Sequence, residues 1–195
     1  MANHEYEVPT PTISAVPVPG DSVENTVMWK VSLRLLPFLF LLYMVNILDR
    51  VNVSFAKLQM LPQLDMDEQM YAMGASIFFL GYFLFEVPSN LLLKKTGARR
   101  WIARILISWG IISAAMMFVT GPVSFYVLRF LLGLAEAGFF PGIILYLSYW
   151  FPTRLRAQAV ARFMTASAVT GIIGFPLSGA LMQFMNGVGG LPGWQ

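Results

Sequence analysis

Apolar residues fall into long blocks along this chain, and polar residues gather in short breaks between them. Ile105 to Leu128 and Phe163 to Gln195 carry no charge at all. A stretch of about 20 uncharged residues is enough to cross a bilayer as a helix. The pattern predicts five spans. The first centres on Leu35–Leu48. The second runs from about Met70 to Leu93, the third from Trp101 to Thr120, the fourth from Val123 to Trp150, and the fifth from Ala159 to Met185. Gly121-Pro122 punctuates the third and fourth, and Pro176 predicts a kink in the fifth. Residues 1–27 hold four prolines among Ser, Thr and acidic residues, with no helical period. They are read as a disordered tail, followed by a membrane bundle over 28–195. The fold class expected is all-α, a polytopic helical membrane protein.

Composition sharpens this picture. Of 195 residues, 57% are hydrophobic and 12% charged, where a soluble domain has about 25% charged. There is no cysteine and a single histidine, His4, in the tail. That leaves no disulfide framework, no thiolate or histidine metal site and no Ser-His catalytic pair. An intramembrane enzyme would lack a base, and neither cofactor nor metal is expected. The net charge of +3 does not point to nucleic acid, because the basic residues flank spans. Lys94, Lys95, Arg99 and Arg100 lie between spans two and three, and Arg154 and Arg156 between four and five. The positive-inside rule then places the N-terminus and both basic loops in the cytoplasm of a plasma membrane.

Five ionisable residues fall within the spans: Asp49, Arg50, Glu86, Arg129 and Glu136. The uncharged run Leu35–Leu48 is 14 residues, about 21 Å of helix, too short for a hydrocarbon core of about 30 Å. The first helix must therefore start near Leu33 or continue past Asp49 and Arg50 toward Ala56, and the apolar Val51, Val53 and Phe55 favour continuation, which puts Asp49 and Arg50 at membrane depth. Such charges are costly and tend to mark a substrate or ion path. The alternative is a set of buried ion pairs that fix packing. Arg129 and Glu136, seven apart, share one helix face, as do Asn46 and Arg50, four apart, and Tyr82 and Glu86. Arginines in a low-dielectric cavity suit carboxylates. The expectation is that Glu136 pairs with Arg129 and that its protonation releases Arg129 to a substrate anion. Gly138 and Gly142 form a GxxxG spacing suited to close helix packing.

Four stretches then carry a resemblance: NILDRVNVSFAKL (46–58), GYFLFEVPSNLLLKKTGARR (81–100), RFLLGLAEAGFFPG (129–142) and YWFPTRLRAQA (149–159). The chain resembles the N-terminal half of a major facilitator superfamily transporter of the anion:cation symporter, or phthalate permease-like, family. The resemblance implies proton-coupled symport of small organic anions, sugar acids or hydroxy dicarboxylates, across a bacterial inner membrane. It implies substrate contact by Arg50, Arg129, Tyr82 and Asn46, and proton carriage by Asp49 and Glu136. It also implies a conformational loop at Lys94, Lys95, Gly97, Arg99 and Arg100, although Lys94 stands where the superfamily usually has Asp. A transporter of this kind has twelve helices in two halves. A fragment, with the C-terminal half missing, is therefore expected. The remaining alternatives are a homo-oligomer of half-units and a non-functional fragment.

Overall fold

The computed structural model describes residues 20–187 and 193–194. Six α-helices follow in order: α1 Gly20–Gln63, α2 Glu68–Thr96, α3 Ala98–Ala115, α4 Pro122–Glu136, α5 Phe139–Trp150 and α6 Thr153–Phe184. A single 3-10 turn, Met116–Phe118, extends α3, and no strand occurs among the described residues. Five helical segments are long and apolar enough to cross a membrane: 23–63, 68–96, 98–118, 122–150 and 153–184. The fourth combines α4 and α5. The protein is a multi-pass membrane protein.

The helix ends follow local chemistry. Asp67 caps α2 by accepting from the Met70 N–H at 2.6 Å, and Glu68 adds a negative charge to the first turn. At the other end of α2, Lys94 and Lys95 sit in the last turn. Gly97, at φ 87°, donates its N–H to the Leu93 carbonyl at 3.0 Å and turns the chain directly into α3. Gly121-Pro122 forms the predicted break before α4, where Ser124 Oγ accepts from the N–H groups of Thr120 and Gly121.

Two spans differ from their predicted form. The first helix begins at Gly20, inside the stretch read as a tail. There Glu24 pairs with Arg154 on α6 at 2.7 Å, a tertiary contact that no local pattern reveals. Residues 1–19 lie outside the described residues. The fourth span, predicted as one helix from Val123 to Trp150, is broken after Glu136. Ala137 leaves the helical region with ψ 130°, and Gly138 follows at φ 84°.

Packing makes the fourth span the centre of the bundle. More than half of its most apolar window is buried (56%), against 22% or less for the other four. The main helix pairs are α2 with α4 and α1 with α6. Glycine permits the first. A Cβ on Gly133 of α4 would strike the Phe78 carbonyl and the Tyr82 nitrogen of α2, and one on Gly81 of α2 would strike the Phe130 carbonyl of α4. The backbones touch, as small residues allow between membrane helices. Large apolar side chains such as Phe79, Phe83 and Val87 on α2 and Ile107 and Ile111 on α3 point outward, as expected for lipid-facing surfaces. Two apolar clusters fill the ends of the bundle. One is built around Leu93, Ile105, Ile143 and Phe163, the other around Met60, Met66 and Phe125. Between them lies a small layer of Phe78, Trp109, Leu132 and Ala135, and the buried charges sit at this level.

Candidate functional site

Glu136 ends α4 and has no exposed surface. Its Oε2 atom accepts three hydrogen bonds from α1: Asn46 Nδ2 at 2.8 Å, Arg50 Nε at 3.0 Å and Arg50 Nη2 at 2.8 Å. The four-residue spacing of Asn46 and Arg50 brings both donors to one helix face. All three converge on one oxygen. The other, Oε1, is buried with no hydrogen-bond partner. This is a charge-assisted pair with one acceptor atom left over.

The arginines meet at an aromatic ring. Arg129 Cζ lies 4.5 Å from the centroid of Phe78 and Arg50 Cζ 5.3 Å from it, while Arg50 also lies 5.3 Å from the Tyr82 ring. Cation–π attraction holds each guanidinium in place. The two arginines differ otherwise. Arg50 is paired with Glu136, and its side chain keeps 37% exposure. Arg129 is buried, and its Nε and Nη1 atoms have no hydrogen-bond partner. A buried guanidinium with unmet donors is costly and favours an anion at that point.

The expected pairing of Arg129 with Glu136 is therefore corrected: Glu136 pairs with Arg50 and Asn46. The reason is axial distance. Seven residues along a helix is about 10.5 Å, so a shared face does not bring these two side chains into contact. A neighbouring helix supplies the partner.

Asp49 faces another way, although it directly precedes Arg50. Trp109 Nε1 donates to its Oδ2 at 3.1 Å and Ser113 Oγ to its Oδ1, both from α3. It also lines a cavity of about 320 Å³ with Asn52, Ser113, Ser178, Met116 and Trp194. This cavity does not include Arg50, Arg129 or Glu136. The structure thus gathers Asn46, Arg50, Tyr82, Arg129 and Glu136 around Phe78 and sets Asp49 in a separate hydrogen-bonded corner. Glu86 is half-buried one turn beyond Tyr82. Lys94, Lys95, Arg99 and Arg100 stand exposed on either side of Gly97. Among the described residues no three His, Asp or Glu side chains come together to hold a metal ion.

Sequence reasoning missed Phe78, Trp109 and Ser113. A signal existed for each. Phe78 lies four residues before Tyr82, on the same face, and Trp109 and Ser113 are likewise four apart. Uncharged residues in an apolar span attract no attention until a charge is found beside them.

Comparison with known proteins places the chain in a family. Over 176 residues the chain is 59% identical to a putative tartrate transporter of Agrobacterium vitis, covering 90% of this chain and 40% of that protein. It is 52% identical over 166 residues to the putative metabolite transport protein NicT of Pseudomonas putida, covering 85% and 38%. It is 44% identical over 170 residues to the inner membrane transport protein RhmT of Escherichia coli, covering 87% and 39%. The chain thus spans about two fifths of the length of these relatives. Residues 39–195 match the family model of the Major Facilitator Superfamily, and the chain belongs to that superfamily.

Proposed function

We propose that this chain contributes the anion- and proton-binding side of a proton-coupled carrier of small organic anions, with hydroxy dicarboxylates such as tartrate, or sugar acids, as substrates. One observation carries the reading. Arg129 is a buried cation whose Nε and Nη1 donors have no partner, and a carboxylate is the anion that a guanidinium with unmet donors is built to hold. The name of the tartrate transporter relative supports the same substrate class. The setting would be a bacterial inner membrane with the N-terminus in the cytoplasm, which the basic loops support.

The coupling follows from charge. While Glu136 is ionised, it holds Arg50 through two hydrogen bonds on Oε2. Its Oε1 atom is open to a proton. Protonation removes the charge that attracts Arg50, and the partly exposed guanidinium becomes available to a substrate carboxylate beside Arg129. Proton and anion then favour each other's binding by linkage, in both directions. The arginine released is Arg50, not Arg129 as expected from spacing. Asn46 and Tyr82 orient the site. Asp49, held by Trp109 and Ser113, is a second proton carrier.

The test is Glu136→Gln in proteoliposomes holding the gene's product. Proton-driven tartrate uptake is expected to fall to background while counterflow of tartrate continues. Proton-driven uptake at the wild-type rate would sink the coupling role.

A further inference from the structure

The broken fourth span contains a bond that the transport reading does not use. Ala137 follows Glu136 directly. Within a continuous helix its carbonyl would accept from residue 141, but that residue is Pro141, which has no N–H. The carbonyl is met from another helix. Ser89 Oγ on α2 donates to it at 2.7 Å. The same Oγ accepts from Trp101 Nε1 on α3 at 2.9 Å. Ser89 and Ala137 are both fully buried, so solvent offers no substitute partner. Gly138 completes the fit, since a Cβ there would collide with the Ser89 side chain. Ser89 stands five residues before Lys94 and Trp101 immediately follows Arg100, so the bond joins the break to the basic turn between α2 and α3.

We propose that Ser89 is a positioning residue for Glu136: its one hydroxyl, shared between the Ala137 carbonyl and the Trp101 indole, holds the fourth span in its broken form and thereby seats the Glu136 carboxylate against Asn46 and Arg50. The proposal rests on the reading of Glu136 as the coupling carboxylate. Ser89 touches neither substrate nor proton and acts through one peptide bond. The three hydrogen bonds on Glu136 Oε2 are 2.8–3.0 Å long, and hydrogen bonds weaken steeply with misalignment. A modest rotation at Ala137 is enough to break them. Removing the hydroxyl leaves a buried carbonyl unmet, and the break then relaxes toward a geometry that satisfies it.

The chain has no cysteine, so Val127→Cys on α4 and Tyr149→Cys on α5, both at exposed positions, can carry a pair of spin labels that reports the bend. In Ser89→Ala the label separation is expected to shift or broaden. Proton-driven tartrate uptake is expected to fall about tenfold, while tartrate exchange stays within about twofold of wild type. Pro141→Ala supplies the missing donor only to a continuous helix, so it favours the unbroken form and is itself expected to lower proton-driven uptake. In that background Ser89→Ala is expected to cost at most about twofold in proton-driven uptake, a non-additivity that marks one shared bond. Label separations unchanged by Ser89→Ala overturn the proposal whatever the transport result. So does a parallel loss of uptake and exchange, or the full penalty persisting beside Pro141→Ala. If the wild type shows no proton-driven uptake of any carboxylate, the functional reading fails, while altered separations in Ser89→Ala still uphold the clamp on the break.

Discussion

Arg129 and Arg50 carry the same charge on neighbouring helices, yet their surroundings assign them different work. Arg50 is matched by Glu136 and partly exposed. Arg129 is buried over Phe78 with unmet donors. In the proposed cycle Arg129 is the standing anion site and Arg50 the conditional one. A lysine at position 129 keeps the charge but loses the planar fork. Arg129→Lys is therefore expected to weaken tartrate binding by about 10- to 100-fold, the loss of one or two charge-assisted hydrogen bonds. Calorimetric titration of the purified protein measures it, and affinity within about twofold of wild type would contradict a bidentate site. Much of this cluster is legible in the residues alone. Charges inside a span announce themselves because nothing else in an apolar stretch resembles them. The choice of partner is not legible. Glu136 has an arginine on its own helix face and another on α1, and it pairs with the second because that one reaches it.

Helices are where continuity misleads. Apart from Arg129 and Glu136 the residues from Pro122 to Trp150 carry no charge, and so apolar a run reads as one helix. The signals of the break are present as Gly138 and Pro141, but the segment is buried in protein, where irregular backbone is tolerated if its polar groups find partners. No polar loop is needed, so none marks the spot. Gly138 has φ 84° and abuts Ser89, so its place in a GxxxG spacing matters less than its backbone. Gly142 does pack closely, against Leu93 of α2. Gly138→Ala is expected to destabilise the protein by about 1–3 kcal/mol from backbone strain, plus the cost of displacing Ser89. A thermal melt in detergent reads the change, and an unshifted transition would show that the left-handed turn is not required.

The whole bundle is organised around the fourth span, with charges at mid-height and apolar clusters at either end. Lys94, Lys95, Arg99 and Arg100 fall at one end of it and the uncharged turn at Gly121 at the other. By the positive-inside rule the first end is expected on the cytoplasmic side. With no native cysteine in the chain, Thr96→Cys is expected to react with an impermeant maleimide only in inside-out vesicles, and Thr120→Cys only in right-side-out ones. The reverse pattern would invert the assigned topology.

The number of spans, their approximate lengths and the depth of the buried charges are all readable from residue order. In a bilayer the backbone must satisfy its own hydrogen bonds, so length and apolarity suffice to define a spanning helix. Which side chains meet depends on how the helices approach and rotate against one another. Gly81 and Gly133 set that approach between α2 and α4, bringing Phe78 beneath two guanidiniums. The pairing of Glu136 with Arg50, the corner that holds Asp49 and the bond from Ser89 to Ala137 all join residues at least 48 positions apart. Contacts of that separation follow from packing geometry, which no pattern of neighbours along the chain encodes.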